Sequence, residues 1–170
     1  MTSDDDEMLK IAENLGATPM KRDPHYATDT VPMGDVYVHL ASILECKDVL
    51  WIPVTSPLIK DETIQECIDI YKNNQSYDSV VTTNIIKEYM WLNGKAINYD
   101  PKNHPRSQDL PDIYALNFAA NILPRELMIK NKNILGDNFF PYMIDDIEAV
   151  DVDTEFEFML AELLYEKARK

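Results

Sequence analysis

The chain has 170 residues, 45% of them hydrophobic and 27% charged, with a formal net charge of −14. That suits one globular domain with its own core, and it excludes a binder of the nucleic-acid backbone, which needs Lys and Arg gathered on one face. No apolar run approaches the roughly 20 residues that cross a bilayer, and the acidic opening Met1-Thr2-Ser3-Asp4-Asp5-Asp6 does not read as a secretory leader.

In chain order, Ser3 to Asp6 and Asp4 to Glu7 both carry capping-box spacing. Met8, Leu9, Ile11, Ala12 and Leu15 then recur at helical intervals, so the chain is expected to open directly with a helix that stops at Gly16. Residues 17–32 hold Pro19, Pro24 and Pro32 and read as loop. Residues 34–46 read as helix. The apolar run Asp48 to Val54 reads as a strand buried on both faces, with Pro53 marking the sheet rim. A helix is expected from Asp61 to about Asn74 and a strand at Ser79–Thr83, a succession that implies a right-handed crossover and parallel strands.

The segments Glu88–Leu92 and Lys95–Tyr99 flank Asn93-Gly94, a two-residue hairpin signal. Tyr114–Leu123 reads as a strand, Pro124 as the start of a short helix, Ala149–Val152 as a strand, and Thr154–Ala168 as a last helix with Phe158, Leu160, Ala161, Leu163 and Leu164 mostly facing the core. Cys46 and Cys67 fall on separate predicted helices and read as buried small hydrophobes, consistent with a reducing, cytoplasmic setting.

Chemistry concentrates at Asp151-Val152-Asp153. Two positions apart on a strand, both carboxylates would project to one face, at the carboxyl end where open α/β sheets bind ligands. Two acids aimed one way repel unless a cation lies between them. Mg²⁺ suits such a pair, because it takes one or two carboxylates with waters and substrate phosphates. The competing reading is a pair of solvated acids before a helix N-terminus. Thr154 and Glu157 have capping-box spacing and read as structural. The hydroxyls of Thr55 and Ser56 either cap the next helix or meet a ligand at the sheet rim. None of the four glycines builds a phosphate-cradling loop of either common type. His39 reads as a partly buried structural side chain within a helix.

Taken in order, five segments resemble the acylneuraminate cytidylyltransferases and their relatives that activate Kdo, pseudaminic and legionaminic acids. They are Ser3-Asp4-Asp5 with the helix to Gly16-Ala17, Arg22-Asp23-Pro24 with Ala27 to Thr30, Val54 to Lys60, Ser107 to Pro111 with Asn117, and Asp151 to Glu155 followed by Ala161-Glu162. The resemblance implies an α/β, three-layer Rossmann-like nucleotide-diphospho-sugar transferase fold. Its sheet would be mixed and mostly parallel, with residues 85–115 an inserted hairpin arm that builds a homodimer. It implies that residues 1–170 form one cytidylyltransferase-like domain, incomplete at its N-terminus. It also implies a reaction in which CTP and a 2-keto sugar acid give a CMP-sugar and pyrophosphate. Asp151 and Asp153 would hold Mg²⁺, Arg22, Asp29 and Thr30 would lie near the nucleotide, and Thr55, Ser56, Gln108 and Asn117 would line the sugar side.

The departures from the family pattern are specific. The family's opening strand and its triphosphate loop of Arg, Ser and Lys have no counterpart in these residues. The chain therefore reads as a truncated member, a fragment, or a partner of a separate N-terminal piece, and no CTP turnover is expected from these residues alone. Family arginines fall on Ser107, beside Arg106, and on Ala115, a family tyrosine falls on Asn121, a glutamine on Pro53, and an aspartate on Glu157. Lost arginines matter because a guanidinium grips a carboxylate bidentately. Two other readings stand beside this one: a glycosyltransferase-like nucleotide-sugar binder using Asp-x-Asp, and a non-catalytic remnant.

Overall fold

A computed structural model describes residues 1–168. Its elements in chain order are β1 (Thr2–Ser3), α1 (Asp6–Asn14), β2 (Met20–Lys21), α2 (Met33–Ile43), β3 (Asp48–Trp51), α3 (Asp61–Asn73), β4 (Ser79–Ile86), β5 (Trp91–Leu92), β6 (Lys95–Ala96), β7 (Ile113–Pro124), α4 (Arg125–Asn131), β8 (Phe139–Met143) and α5 (Glu155–Ala168).

The main sheet has the order β3-β7-β4-β8. Strands β3, β4 and β8 run in one direction and β7 alone runs against them, so the sheet is mixed with a parallel majority. The crossover from β3 through α3 to β4 joins parallel strands, as its sequence implies. They are not neighbours, because the long β7 is inserted between them. Leu123 and Ile122 are consecutive on β7 and so point to opposite faces. Leu123 packs with Ala41, Val49, Met128 and Ile134 under α2 and α4. Ile122 packs with Val80 and Cys67 under α3. Those two cores define three layers, helix on sheet on helix. Arg125 fastens the first core: its Nε donates to the carbonyl of Ala41 at 2.6 Å, satisfying the end of α2.

Between β4 and β7 the chain leaves the sheet for the hairpin β5-β6. Asn93 and Gly94 both take positive φ, 50° and 76°, as a two-residue turn matched to strand twist requires. Trp91 Nε1 donates to the Tyr99 hydroxyl at 2.7 Å, and Tyr89, Tyr99 and His104 pack ring against ring. Where β4 meets β7 the register shifts between Val81 and Thr83. This bulge places Phe118 at φ 57° and lets Thr82 Oγ1 accept from the Ala120 N–H at 3.0 Å.

Several expectations change. A two-residue strand, β1, precedes α1 and pairs in parallel with β2, so the chain does not open on a helix. The cap of α1 is Asp5, which accepts from Met8 N–H at 2.9 Å, and neither capping-box pair read from spacing forms it. Cys46 lies past the end of α2 and is exposed; only Cys67 is buried. Residues 149–152 form no strand. A strand that sequence patterning missed, β8, carries Pro141, and its edge position tolerates a residue without an N–H. On α5 only Ala161 is buried, whereas Phe156, Phe158, Met159 and Leu163 are exposed. His39 is half-buried, as expected, with its ring stacked on Tyr26 at 3.9 Å.

Asn121 sits fully buried in β7, and neither atom of its amide has a hydrogen-bond partner among the described residues. A buried polar group without a partner costs about 1–3 kcal/mol, and an apolar group of similar shape removes that cost. Asn121→Leu is expected to raise the unfolding free energy by about 1–2 kcal/mol in a urea titration.

Candidate active site

The parallel strands β3, β4 and β8 all end at one rim of the sheet. The segment after β3 turns back through a bond from Ser56 N–H to the Pro53 carbonyl at 3.2 Å. Ser56 is buried and its hydroxyl has no partner among the described residues. The next helix, α3, is capped by Lys60 without a side-chain hydrogen bond, so Thr55 and Ser56 do not serve as its cap. Of the two readings of these hydroxyls, the structure removes the capping one.

The segment after β8 is built by acids. Asp145 folds a turn by accepting from the N–H groups of Ile147 at 3.0 Å and Glu148 at 2.9 Å. Those bonds, the Glu148 N–H first and the Lys60 side chain next, hold its carboxyl below the usual range. Glu148 itself is buried, at 4% exposure. Its two oxygens accept from Lys60, one from the backbone N–H at 3.0 Å and one from Nζ at 2.8 Å. Lys60 Nζ also reaches Asp145 at 2.9 Å, and these two acids hold the lysine above its usual range. Neither Lys60 nor Glu148 was read as functional from the sequence. An acid set between Ile147 and Ala149-Val150 was the available signal.

Four residues on, Val152 N–H donates to the Thr55 carbonyl at 2.8 Å. This bond brings Thr55-Ser56 and Asp151-Asp153 together, although no strand holds the aspartates. Asp151 is half-buried and its Oδ1 is buried with no partner among the described residues; Asp153 is exposed. Beyond them the capping box forms as its spacing predicts. Glu157 accepts from Thr154 N–H at 2.8 Å, from the Thr154 hydroxyl at 2.8 Å and from Asp153 N–H at 3.0 Å. The Thr154 hydroxyl foremost, then the Asp153 N–H, keep the Glu157 carboxyl below its usual range.

The other predicted residues are placed as follows. Asn117 lies in the β7 bulge at the same rim, its amide donating to Asn84 at 3.2 Å and its carbonyl accepting from Ala119 N–H at 3.2 Å. Gln108 is exposed on a single turn of 3₁₀ helix, Ser107–Asp109, in the excursion that leaves β4. Beside it the Arg106 guanidinium is held by both oxygens of Asp109, at 2.7 and 3.1 Å. Arg22, Asp29 and Thr30 belong to the N-terminal β1-α1-β2 unit and the loop after it. Arg22 donates to the carbonyls of Ser3 and Thr2, and the Thr30 hydroxyl meets that of Thr28. Among the described residues no hydrogen bond joins these three to the Asp151 loop.

Among the described residues no group of three or more His, Cys, Asp or Glu side chains is arranged to hold a metal ion. Without a strand at 149–152, the alternation that would aim Asp151 and Asp153 to one face no longer applies. The partnerless Asp151 Oδ1 is the kind of buried charge that a cation satisfies.

Three proteins bear on identity. Post-translational flagellin modification protein B of Campylobacter coli is 25% identical over 177 residues, covering 96% of this chain and 75% of its own length. CMP-N,N'-diacetyllegionaminic acid synthase of Legionella pneumophila is 27% identical, covering 98% of this chain and 77% of its own length. N-acylneuraminate cytidylyltransferase of Escherichia coli is 24% identical across the whole of this chain and 42% of its own length. Over nearly its whole length this chain is similar, at 24–27% identity, to proteins named for CMP-legionaminic acid and acylneuraminate cytidylyl transfer. In fold, a CMP-2-keto-3-deoxy-manno-octonic acid synthetase complexed with CTP matches 99% of this chain and 79% of its own, with a TM-score of 0.59 and 13% identity. A 4-diphosphocytidyl-2C-methyl-D-erythritol synthase from Anaerococcus prevotii matches with a TM-score of 0.67, 10% identity and coverage of 96% and 77%. No family model matches the sequence.

The capping box is testable by its pH signature. Because the folded state lowers the Glu157 carboxyl, the associated stability is present above the ordinary glutamate value of 4.5 and is lost as pH falls through the lowered value. Glu157→Ala is therefore expected to lower Tm at pH 7, with the difference from wild type shrinking steadily below pH 4.5 in calorimetric scans.

Proposed function

We propose that this protein is a cytoplasmic cytidylyltransferase that activates a 2-keto sugar acid of the sialic-acid type with CTP, releasing pyrophosphate and a CMP-sugar. The observation that carries this reading is the pair of buried, partnerless oxygens, Ser56 Oγ and Asp151 Oδ1. Each lies one residue from the Thr55–Val152 bond at the carboxyl rim of the sheet. Such atoms are costly in an idle surface and useful where a ligand completes them. The relatives named for CMP-legionaminate and acylneuraminate chemistry support the substrate class.

In the reaction the anomeric hydroxyl of the sugar acid forms a bond to the α-phosphorus of CTP, the bond from that phosphorus to the β-phosphate oxygen breaks, and the hydroxyl proton leaves. Asp151 and Asp153 would hold Mg²⁺, which offsets charge building on the phosphates. Thr55, Ser56, Gln108 and Asn117 would line the sugar side. Arg22, Asp29 and Thr30 would face the nucleotide. The hairpin region 85–115, with Trp91, Leu92 and Ile97 exposed, is the proposed homodimer contact.

The test is pyrophosphate release by the full gene product with CTP, Mg²⁺ and a panel of 2-keto sugar acids. Product is expected with at least one nine-carbon acid, and Asp151→Asn is expected to lower kcat by about 100-fold or more. Turnover of no acid, together with tight binding of a nucleoside diphosphate sugar, would replace this reading with a glycosyltransferase.

A further inference from the structure

We propose that Glu148 is a positioning residue that clamps the Thr55–Lys60 segment onto the 145–153 segment, holding Ser56 and Asp151 in one site. The two segments run antiparallel and are joined at both ends. At one end Val152 N–H meets the Thr55 carbonyl. At the other, both oxygens of Glu148 grip Lys60, one through the backbone and one through Nζ. Asp145 builds the turn that presents Glu148 and adds its own bond to Lys60 Nζ at 2.9 Å.

Glu148 is only 4% exposed, and a buried carboxylate is costly unless paired; here Lys60 supplies a bond to each of its oxygens. A loop fixed at Thr55 and again at Lys60 leaves Ser56 little freedom relative to Asp151. Preorganisation of this kind is what a group-transfer site requires, since small displacements of reacting groups are costly. The catalytic part of the inference rests on the cytidylyltransferase reading; the clamp itself does not.

The experiment compares wild type, Glu148→Gln and Lys60→Met by residue-resolved hydrogen exchange and by steady-state kinetics. Glutamine keeps the shape and one acceptor, so the fold is expected to persist, and Lys60→Met decides the matter if it does not. The amides of Val152 and Lys60 are expected to exchange roughly tenfold faster in the variants, while amides of Ile122 and Leu123 in β7 stay unchanged. With CTP and an accepted sugar acid, kcat is expected to fall about 10- to 100-fold with the CTP KM moving less than about threefold, as for supporting residues around a site. Unchanged exchange at Val152 in both variants, or equal acceleration across the β7 core, would overturn the clamp. Absence of turnover by the wild-type full gene product would overturn the function while exchange still decides the clamp.

Discussion

A single backbone hydrogen bond, Val152 N–H to the Thr55 carbonyl at 2.8 Å, joins the two segments that carry the candidate site. It stands where sequence patterning reads a strand at residues 149–152 and the structure has none. Strand β3 stops at Trp51 and β8 at Met143, so both segments approach the rim as loops. Loops at the carboxyl ends of parallel strands are where such sheets place ligands, but loops need fixing. The fixing here is electrostatic, through Lys60, Glu148 and Asp145, and it lies outside the two apolar cores.

The charge distribution follows the same logic. The chain's net charge of −14 makes it a poor electrostatic host for a triphosphate unless cations mediate the contact. Lys60 is engaged by Glu148 and Asp145, and Arg106 is engaged by Asp109. What remains open at this rim is acceptor chemistry: the Asp151 oxygen, the Asp153 carboxylate and the Ser56 hydroxyl. That inventory suits a metal–phosphate complex better than a bare anion.

Much of the scaffold was legible because local patterning and tertiary structure agree. Asn93-Gly94 specifies its turn through backbone geometry alone, Thr154 and Glu157 form the capping box their spacing describes, and the run at 79 becomes a strand; the run at 48 becomes a four-residue edge strand with Leu50 exposed, not one buried on both faces. Legibility fails where a longer-range partner decides. Pro141 hides an edge strand that exists because β4 offers it a ladder. The insertion of β7 between β3 and β4 leaves no mark on the crossover that links them. At α5 the apolar residues lie all round the helix, so periodicity could not say which of them face solvent. Glu148 is not legible locally because its role depends on Lys60, 88 residues away.

The most direct measurement of the account is a crystal of the protein grown with CTP and Mn²⁺, with the metal located by its anomalous signal. The account places the ion between Asp151 and Asp153, with phosphate oxygens completing its shell and Ser56 beside it. An ion bound elsewhere in the chain, or CTP bound with both aspartates in solvent and no metal near them, would contradict it.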